Sequence, residues 1–420
     1  MPVGEVPHKD APVNFLRLSL LASITVFAVD VSAGAEPHWA FVPPKRPVPP
    51  QVSASTWPRI TIDRFVLKRI EDAGEHPSPE ADWTALVRRL HLDLTGLSPT
   101  LAEIAAFESD YKIDPDTAYT KRVDRLLASP HFGEKWARWW MDLSHYGDSD
   151  GYLTDQLRPV AWRWRQWVVE AFNRNLPFDR FTIEQLAGDL LPNATTQQSI
   201  ATGFLRNTLS NREGGADLEE YRVLQVKDRT GTFGTVWLGL TVACAQCHDH
   251  KYDPVSQKEF YELYAFFNNA DELNINAPLP DEAVNYAAAK KVYDKERREL
   301  LAPVAPCLAK LQDRWEAKLL DTEAHPGRDH LWDRELELIG LVWGGQLGEG
   351  QLEGLNIVYK PRSERTFTER DRLQDYFLRS GSRIDEEKFK ELKISELVSQ
   401  LDELKKAIPP VTRAPTMVQH

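Results

Sequence analysis

Hydrophobic positions along this chain recur mostly at helical spacing. Ile62, Phe65, Val66 and Ile70 share one helix face, which Gly74 ends, and Trp83, Leu86, Val87 and Leu90 repeat the pattern. The turn at 93–100 (DLTGLSPT) puts Ser98 at an N-cap and Pro99 at the first helical position. Short helices are predicted over 101–107 and 119–127, followed by an aromatic helix over 132–146. Trp136, Trp139 and Trp140 lie at helical spacing on it, as do Met141 and His145. A polar loop (147–158) leads to helices at 162–172, within 175–192, at 199–209 and from 219 towards Gly231. An apolar stretch (235–243) then runs into Cys244, and Pro254 and Ser256 restart a helix ending near Asn268.

The segment NINAPLPDE (274–282) marks a boundary, beyond which charged helices are expected over 282–301, 308–320 and 383–407. The glycine-rich stretch 344–354 has no assignable element, and one minor strand is expected at 355–360. The fold class is mainly α: a multi-helix domain (61–273) followed by a second charged helical region (274–420), with minor or no β structure. A proline-rich segment (36–60, with FVPPKRPVPP at 41–50) should be extended connecting chain.

The N-terminus (1–35) reads as a signal peptide. Lys9 and Arg17 precede an apolar run at 18–29, which is too short for a membrane span of about 20 residues. Ala33-Gly34-Ala35 supplies the cleavage site. The expected location is periplasmic or extracellular, with no transmembrane span. Charge adds to this picture: 51 basic and 63 acidic residues give −12, which argues against nucleic acid as a partner.

Export changes how the cysteines are read. Only Cys244, Cys247 and Cys307 exist, too few for a disulfide scaffold. Cys244-Ala245-Gln246-Cys247-His248 has the C-x-x-C-H spacing that attaches c-type haem through two thioethers, with the adjacent imidazole as proximal ligand. The distal ligand would be Met141 or His145, one helical turn apart, or the position stays open. Zinc held by Cys244, Cys247, His248 and His250, with Asp249 or Asp253 as helper, is the alternative cofactor; a Cys244–Cys247 disulfide in a noncatalytic interaction module is another reading. Cys307 reads as a buried free thiol.

The remaining candidates are weaker. The acidic loop Asp148-Ser149-Asp150-Gly151 fails as a calcium loop, because Tyr146 and Leu157 would fall where oxygen donors belong, so it reads as turn and cap. The 13 tryptophans read mostly as core. Arg163, Arg165, Arg206 and Arg212 are candidates for haem propionates or an anionic substrate. No G-x-S-x-G, Walker A, G-x-G-x-x-G or H-E-x-x-H motif occurs.

Several blocks resemble the large exported, cytochrome-c-like families of planctomycetes that carry an associated domain of unknown function. They are HWAFVPP (38–44), IDRFVLKRIEDAG (62–74), RRLHLDLTGLSPT (88–100), RLLASPHFGEKWARWWMDL (125–143), DSDGY (148–152), NLPFDRFTIEQLAGDLLP (175–192), ATGFLRNT (201–208) and TVWLGLTVACAQCHDHKYDPVSQKEFYELYAFFNN (235–269). The resemblance implies an exported protein with a haem motif at Cys244, Cys247 and His248, and links it by association to polysaccharide breakdown. Relatives usually continue into a second conserved domain, so the expected partners are a redox partner protein for the haem and a second domain encoded separately. The expected function is electron transfer or a redox step by a c-type haem protein; a non-haem metalloenzyme on secreted glycans is the alternative.

Overall fold

A computed structural model describes residues 38–54, 56–151, 155–210, 217–346, 354–365 and 367–419. The signal peptide expected at 1–35, Arg212 and most of the glycine-rich stretch lie outside them. The chain divides into two compact units, Met1–Glu80 and Ala81–His420.

In the first unit a short 3₁₀ turn (Trp39–Phe41) opens the proline-rich segment, whose other described residues form neither helix nor strand, and α1 (Thr61–Asp72) follows it. Asp63 Oδ2 accepts from the backbone N–H groups of Arg59 and Ile60 at 2.7 and 2.9 Å, satisfying donors at the helix start. Glu71 Oε1 accepts from Ser53 N and Ala54 N at 2.9 and 3.2 Å, which latches this segment to the helix.

The second unit begins with three helices, α2 (Trp83–Leu94), α3 (Leu101–Ile113) and α4 (Pro115–Leu127), around Val87, Phe107 and Ala118. The start of α3 corrects the expectation for Ser98 and Pro99. Thr100 is the N-cap, accepting from Glu103 N while Glu103 accepts from Thr100 N, and this reciprocal pair outcompetes the Ser-Pro signal two residues upstream.

Next come α5 (Pro130–Leu143), α6 (Trp162–Asn173), α7 (Phe178–Ala187), α8 (Thr196–Ala201), α9 (Leu218–Phe233) and α10 (Gln257–Asn268). α5 and α6 approach closely at Gly133, where a Cβ would stand 2.3 Å from Val169 O. Trp140, Trp164 and Trp167 form the centre of the main core with Phe181, Phe204 and Val226. The buried indole N–H groups of Trp140 and Trp164 donate to Gln185 Oε1 (2.8 Å) and Ala201 O (3.1 Å). The core reading of the tryptophans holds for these three, whereas Trp139 is exposed.

Among the described residues the one sheet has two strands. β1 (Ala270–Asn276) pairs antiparallel with a strand at Arg413–Gln419, in register from Ala270–Gln419 to Asn276–Arg413. Met417, on the second strand, is fully buried in the main core.

Between the strands lie α11 (Pro280–Leu301), α12 (Ala305–Ala324), α13 (His330–Gln346), α14 (Gly354–Tyr359), α15 (Phe367–Ser380), α16 (Glu386–Glu391) and α17 (Ile394–Lys406), and the strand at Arg413–Gln419 is β2. They pack around Trp315, Leu319, Ile339, Phe377 and Leu401. The strand expected at 355–360 is instead α14, with Ile357 and Val358 both buried in this core. Adjacent side chains that both face a core suit a helix packed within a bundle better than a pleated strand with alternating faces. The single helix expected over 383–407 is broken at Lys393, whose φ of 52° separates α16 from α17. Among the described residues no helix is long and apolar enough to cross a membrane.

Candidate functional site: an exposed thiol–imidazole turn

The cysteine motif sits on a turn that its neighbours hold rigidly. α9 continues into one wider π turn, Gly234–Leu238, closed by Leu240 N donating to Gly234 O at 3.1 Å. Gly239 then takes φ 65°, a left-handed conformation that suits glycine. π turns of this kind occur frequently at functional sites. Trp237 anchors the turn: its indole N–H donates to Thr182 Oγ1 at 3.0 Å and its ring packs on Phe204, Phe233 and Trp140.

The motif itself forms a 3₁₀ turn, Val242–Gln246, with Cys247 as its C-cap. In a 3₁₀ turn residues three apart eclipse. Val242 and Ala245 therefore share the inward face and are buried, while Cys244 and Cys247 are both exposed as free thiols. Gly234 makes room for this arrangement, because a Cβ there would stand 2.3 Å from Val242 Cγ2. From the other side, Gln257 Nε2 and Tyr261 Oη of α10 donate to Gln246 O at 3.1 and 3.2 Å, and Gln257 N donates to Asp249 Oδ1 at 2.8 Å.

The two histidines beside the cysteines have opposite roles, read from the hydrogen bonds their nitrogens make. His248 is exposed, and its Nδ1 lies 2.7 Å from Asp249 O. A carbonyl only accepts, so Nδ1 carries the proton and Nε2 keeps its lone pair. His250 is packed in, with 6% of its side chain exposed. Its Nδ1 accepts from Asp253 N at 2.8 Å and Tyr252 N at 3.2 Å, so its proton is on Nε2, 3.2 Å from Thr241 Oγ1. His250 thus acts as a local scaffold for the loop, and His248 is the imidazole with a donor atom to offer. Leu238, Tyr252, Tyr261 and Phe266 add exposed apolar surface along the same segment of chain.

The other candidates divide between the core, ion pairs and exposed positions. α5 ends at Leu143, so His145 is not on the helix; it takes φ 58° beyond it, exposed, on the side of Asp228. Met141 is half-buried against the main core. Arg165 pairs with Asp148 at 3.0 Å, and Arg163 is buried. Within the acidic loop, Asp155 accepts from Gly151 N at 2.8 Å and Asp150 N donates to Gln156 O at 2.9 Å, in keeping with a turn. For the zinc alternative, no group of three or more His, Cys, Asp or Glu is placed to hold a metal ion among the described residues.

Sequence reasoning missed a charged network next to the core. Glu272 on β1 receives Arg206 Nε at 3.1 Å and Arg229 Nη2, while Arg229 Nε donates to Leu205 O at 2.7 Å. Arg206 also donates to Leu273 O (2.7 Å) and Thr416 O (3.1 Å), clamping both strands, so its candidacy for an external anion gives way to an internal role. Arg158 donates to Arg206 O at 2.8 Å and to Asn207 Oδ1. Burial pushes the Glu272 carboxyl up, but Arg206 and Arg229, with Arg158, outweigh it and hold the group below the ordinary glutamate value. Asp228 behaves oppositely: burial raises it, with His145, the Leu209 N–H and Arg229 pulling only partly back. The members are spread from 158 to 272 without a shared local motif, so no short pattern announces them.

The described residues are mainly helical, and one exposed turn among them carries two free cysteines and an imidazole. The chain belongs to the family described as PSCyt2, protein of unknown function (DUF1549), whose model matches residues 61–272 and so takes in the whole turn. No curated protein and no solved structure matches the chain.

Proposed function

We propose that this is an exported c-type haem protein that exchanges electrons with a redox partner, with Cys244 and Cys247 as thioether anchors and His248 as proximal ligand. The observation that carries the reading is the Nδ1–H···O=C hydrogen bond of His248. A ligating histidine generally donates its second ring N–H to a carbonyl or carboxylate, which fixes its tautomer and aims the other nitrogen at the metal. Here that bond is made at 2.7 Å, and His250 is kept from competing by its own three contacts.

The thiols fit the same reading. Each would add its S–H across one vinyl double bond with no leaving group, which requires both sulfurs reduced and reachable; both are free and exposed. The haem, when bound, supplies one-electron chemistry. The chain's own residues hold the anchors three apart on one face, orient the imidazole and carry exposed apolar side chains on the same segment of chain. The second axial position is not assigned, since Met141 serves the core and His145 faces Asp228.

The test is expression with the leader in a host that matures c-type cytochromes, followed by a pyridine haemochrome spectrum of the denatured protein and a metal analysis. Covalent haem that is lost in the Cys244→Ala/Cys247→Ala double variant supports the proposal. Colourless protein carrying stoichiometric zinc would instead support a non-haem metal site, and colourless metal-free protein an interaction module.

A further inference from the structure

One group of aromatic side chains surrounds open space rather than filling an interior. Between α5, the end of α6 and the start of α7 lies a cavity of about 540 Å³. Six rings line it: Phe132, Trp136, Trp140, Phe172, Phe178 and Phe181. Asn175 adds an amide, and among the described residues no charged side chain belongs to the lining. Trp140 and Phe181 are buried at its base, while Trp136 and Phe178 are 37% and 66% exposed at its mouth.

The walls are held by contacts that do not depend on anything filling the space. Asn173 ties α6 to α5: its Oδ1 accepts from Gly133 N at 2.8 Å and its Nδ2 donates to Pro130 O at 3.1 Å. Asn175 takes φ 51° in the turn between α6 and α7, where Asn175 N donates to Phe172 O and Leu176 N to Ala171 O, both at 3.0 Å. At the base, Phe181 meets Trp140 edge to face with ring centres 4.8 Å apart, and stacks on Trp167 at 5.5 Å. Lys135 Nζ lies 5.3 Å from the Trp136 ring centre and donates to Leu92 O at 2.6 Å, which steadies that ring.

We infer that this cavity binds a small neutral aromatic molecule of about two fused rings that carries a hydroxyl or carbonyl group. The size follows from the volume, since about 150 Å³ accepts a single benzene and ligand pockets run from about 300 to 1,000 Å³. The aromatic character follows from the lining, because ring pairs set edge to face or offset gain more than their buried area alone. Neutrality follows because the uncharged lining offers nothing to offset the desolvation of an ion. The oxygen follows from Asn175, whose amide donates to a carbonyl or accepts from a hydroxyl. A sugar fits poorly, since one amide cannot satisfy its several hydroxyls once they leave water. Trp140 also packs on Trp237 of the π turn, with ring centres 5.5 Å apart, but the inference is independent of the haem proposal.

The test is equilibrium dialysis of the full chain against 2-naphthol, naphthalene, decahydro-2-naphthol and methyl β-glucoside. Phe178→Ala removes an exposed ring at the mouth, Trp136→Ala is the second lining variant, and Trp139→Ala, an exposed ring of α5 outside the lining, is the control. Saturable binding of 2-naphthol is expected, about tenfold tighter than that of its saturated analogue. It should weaken about tenfold in either lining variant and stay unchanged in the control. Asn175→Gly, which keeps the left-handed backbone, should erase a preference of about threefold to tenfold for 2-naphthol over naphthalene. No saturable binding of 2-naphthol, equal binding of decahydro-2-naphthol or the glucoside, or an equal loss in Trp139→Ala overturns the inference. A preference that survives Asn175→Gly overturns the part given to the amide.

Discussion

Met417 donates its backbone N–H to Thr202 Oγ1 at 2.8 Å, across 215 positions of chain. Its side chain is fully buried among the aromatic residues of the main core. The last strand is therefore a structural part of the domain that carries the cysteine turn. Thr202 is itself fully buried, and its hydroxyl, which donates to Ser199 O at 2.7 Å, is left with an unpaired acceptor lone pair if the strand leaves.

Met417→Ala should accordingly destabilise the domain by about 2–5 kcal/mol, the range for truncating a buried large side chain, whereas Met417→Leu should cost less than about 1.5 kcal/mol. Urea unfolding followed by tryptophan fluorescence reads this directly. Equal stability of Met417→Ala and wild type would mean that β2 does not dock.

What the sequence disclosed and what it hid divide along one physical line. The helices are legible because a 3.6-residue period is written in consecutive positions, and Trp136, Trp139 and Trp140 announce α5 without reference to anything distant. The cysteine motif is legible because its five residues are consecutive, whereas the inward face shared by Val242 and Ala245 emerges only with the 3₁₀ turn of the folded chain. β1 and β2 were not legible: they lie 143 positions apart between Leu273 and Thr416, and Ala270–Asn276 shows no alternation of buried and exposed side chains. The Glu272 network escaped for that reason too, since Arg206 and Arg229 meet their glutamate only after the chain has folded back.

Gly234→Ala should test how tightly the π turn is built. The added methyl would meet Val242 Cγ2 at 2.3 Å, and overpacking of this kind costs about 1–3 kcal/mol. Adding Val242→Ala removes the opposing methyls, so the double variant should recover part of the loss. Strict additivity in a double-mutant cycle would show that the two positions do not touch.

The two histidines should separate in a stability measurement made without haem. His250→Ala removes the acceptor for Asp253 N and Tyr252 N and should cost about 1–3 kcal/mol by leaving polar groups unpaired. His248→Ala touches an exposed side chain whose carbonyl partner can turn to water, so it should stay within about 0.5 kcal/mol of wild type. Thermal melts of the two variants side by side decide this, and an equal loss in both would remove the distinction between scaffold and ligand.

Glu272 and Asp228 should respond to pH with opposite signs. Glu272 is held below the ordinary value of 4.5, so its contribution is fully present above that pH and is lost as pH falls through the depressed folded value. Glu272→Gln strands Arg229, whose side chain is 3% exposed, and should cost about 3 kcal/mol at pH 7, with the gap to wild type narrowing below pH 4.5. Asp228 is raised above 3.8, so the unfolded chain ionises first and stability is lost as pH rises from 3.8 through the folded value. Asp228→Asn keeps an acceptor for Leu209 N, should match wild type below pH 3.8 and should melt higher than wild type at pH 7. Melting curves from pH 3 to 8 for both variants test the pair together; curves that ran parallel to wild type would show that neither carboxyl is shifted by its surroundings.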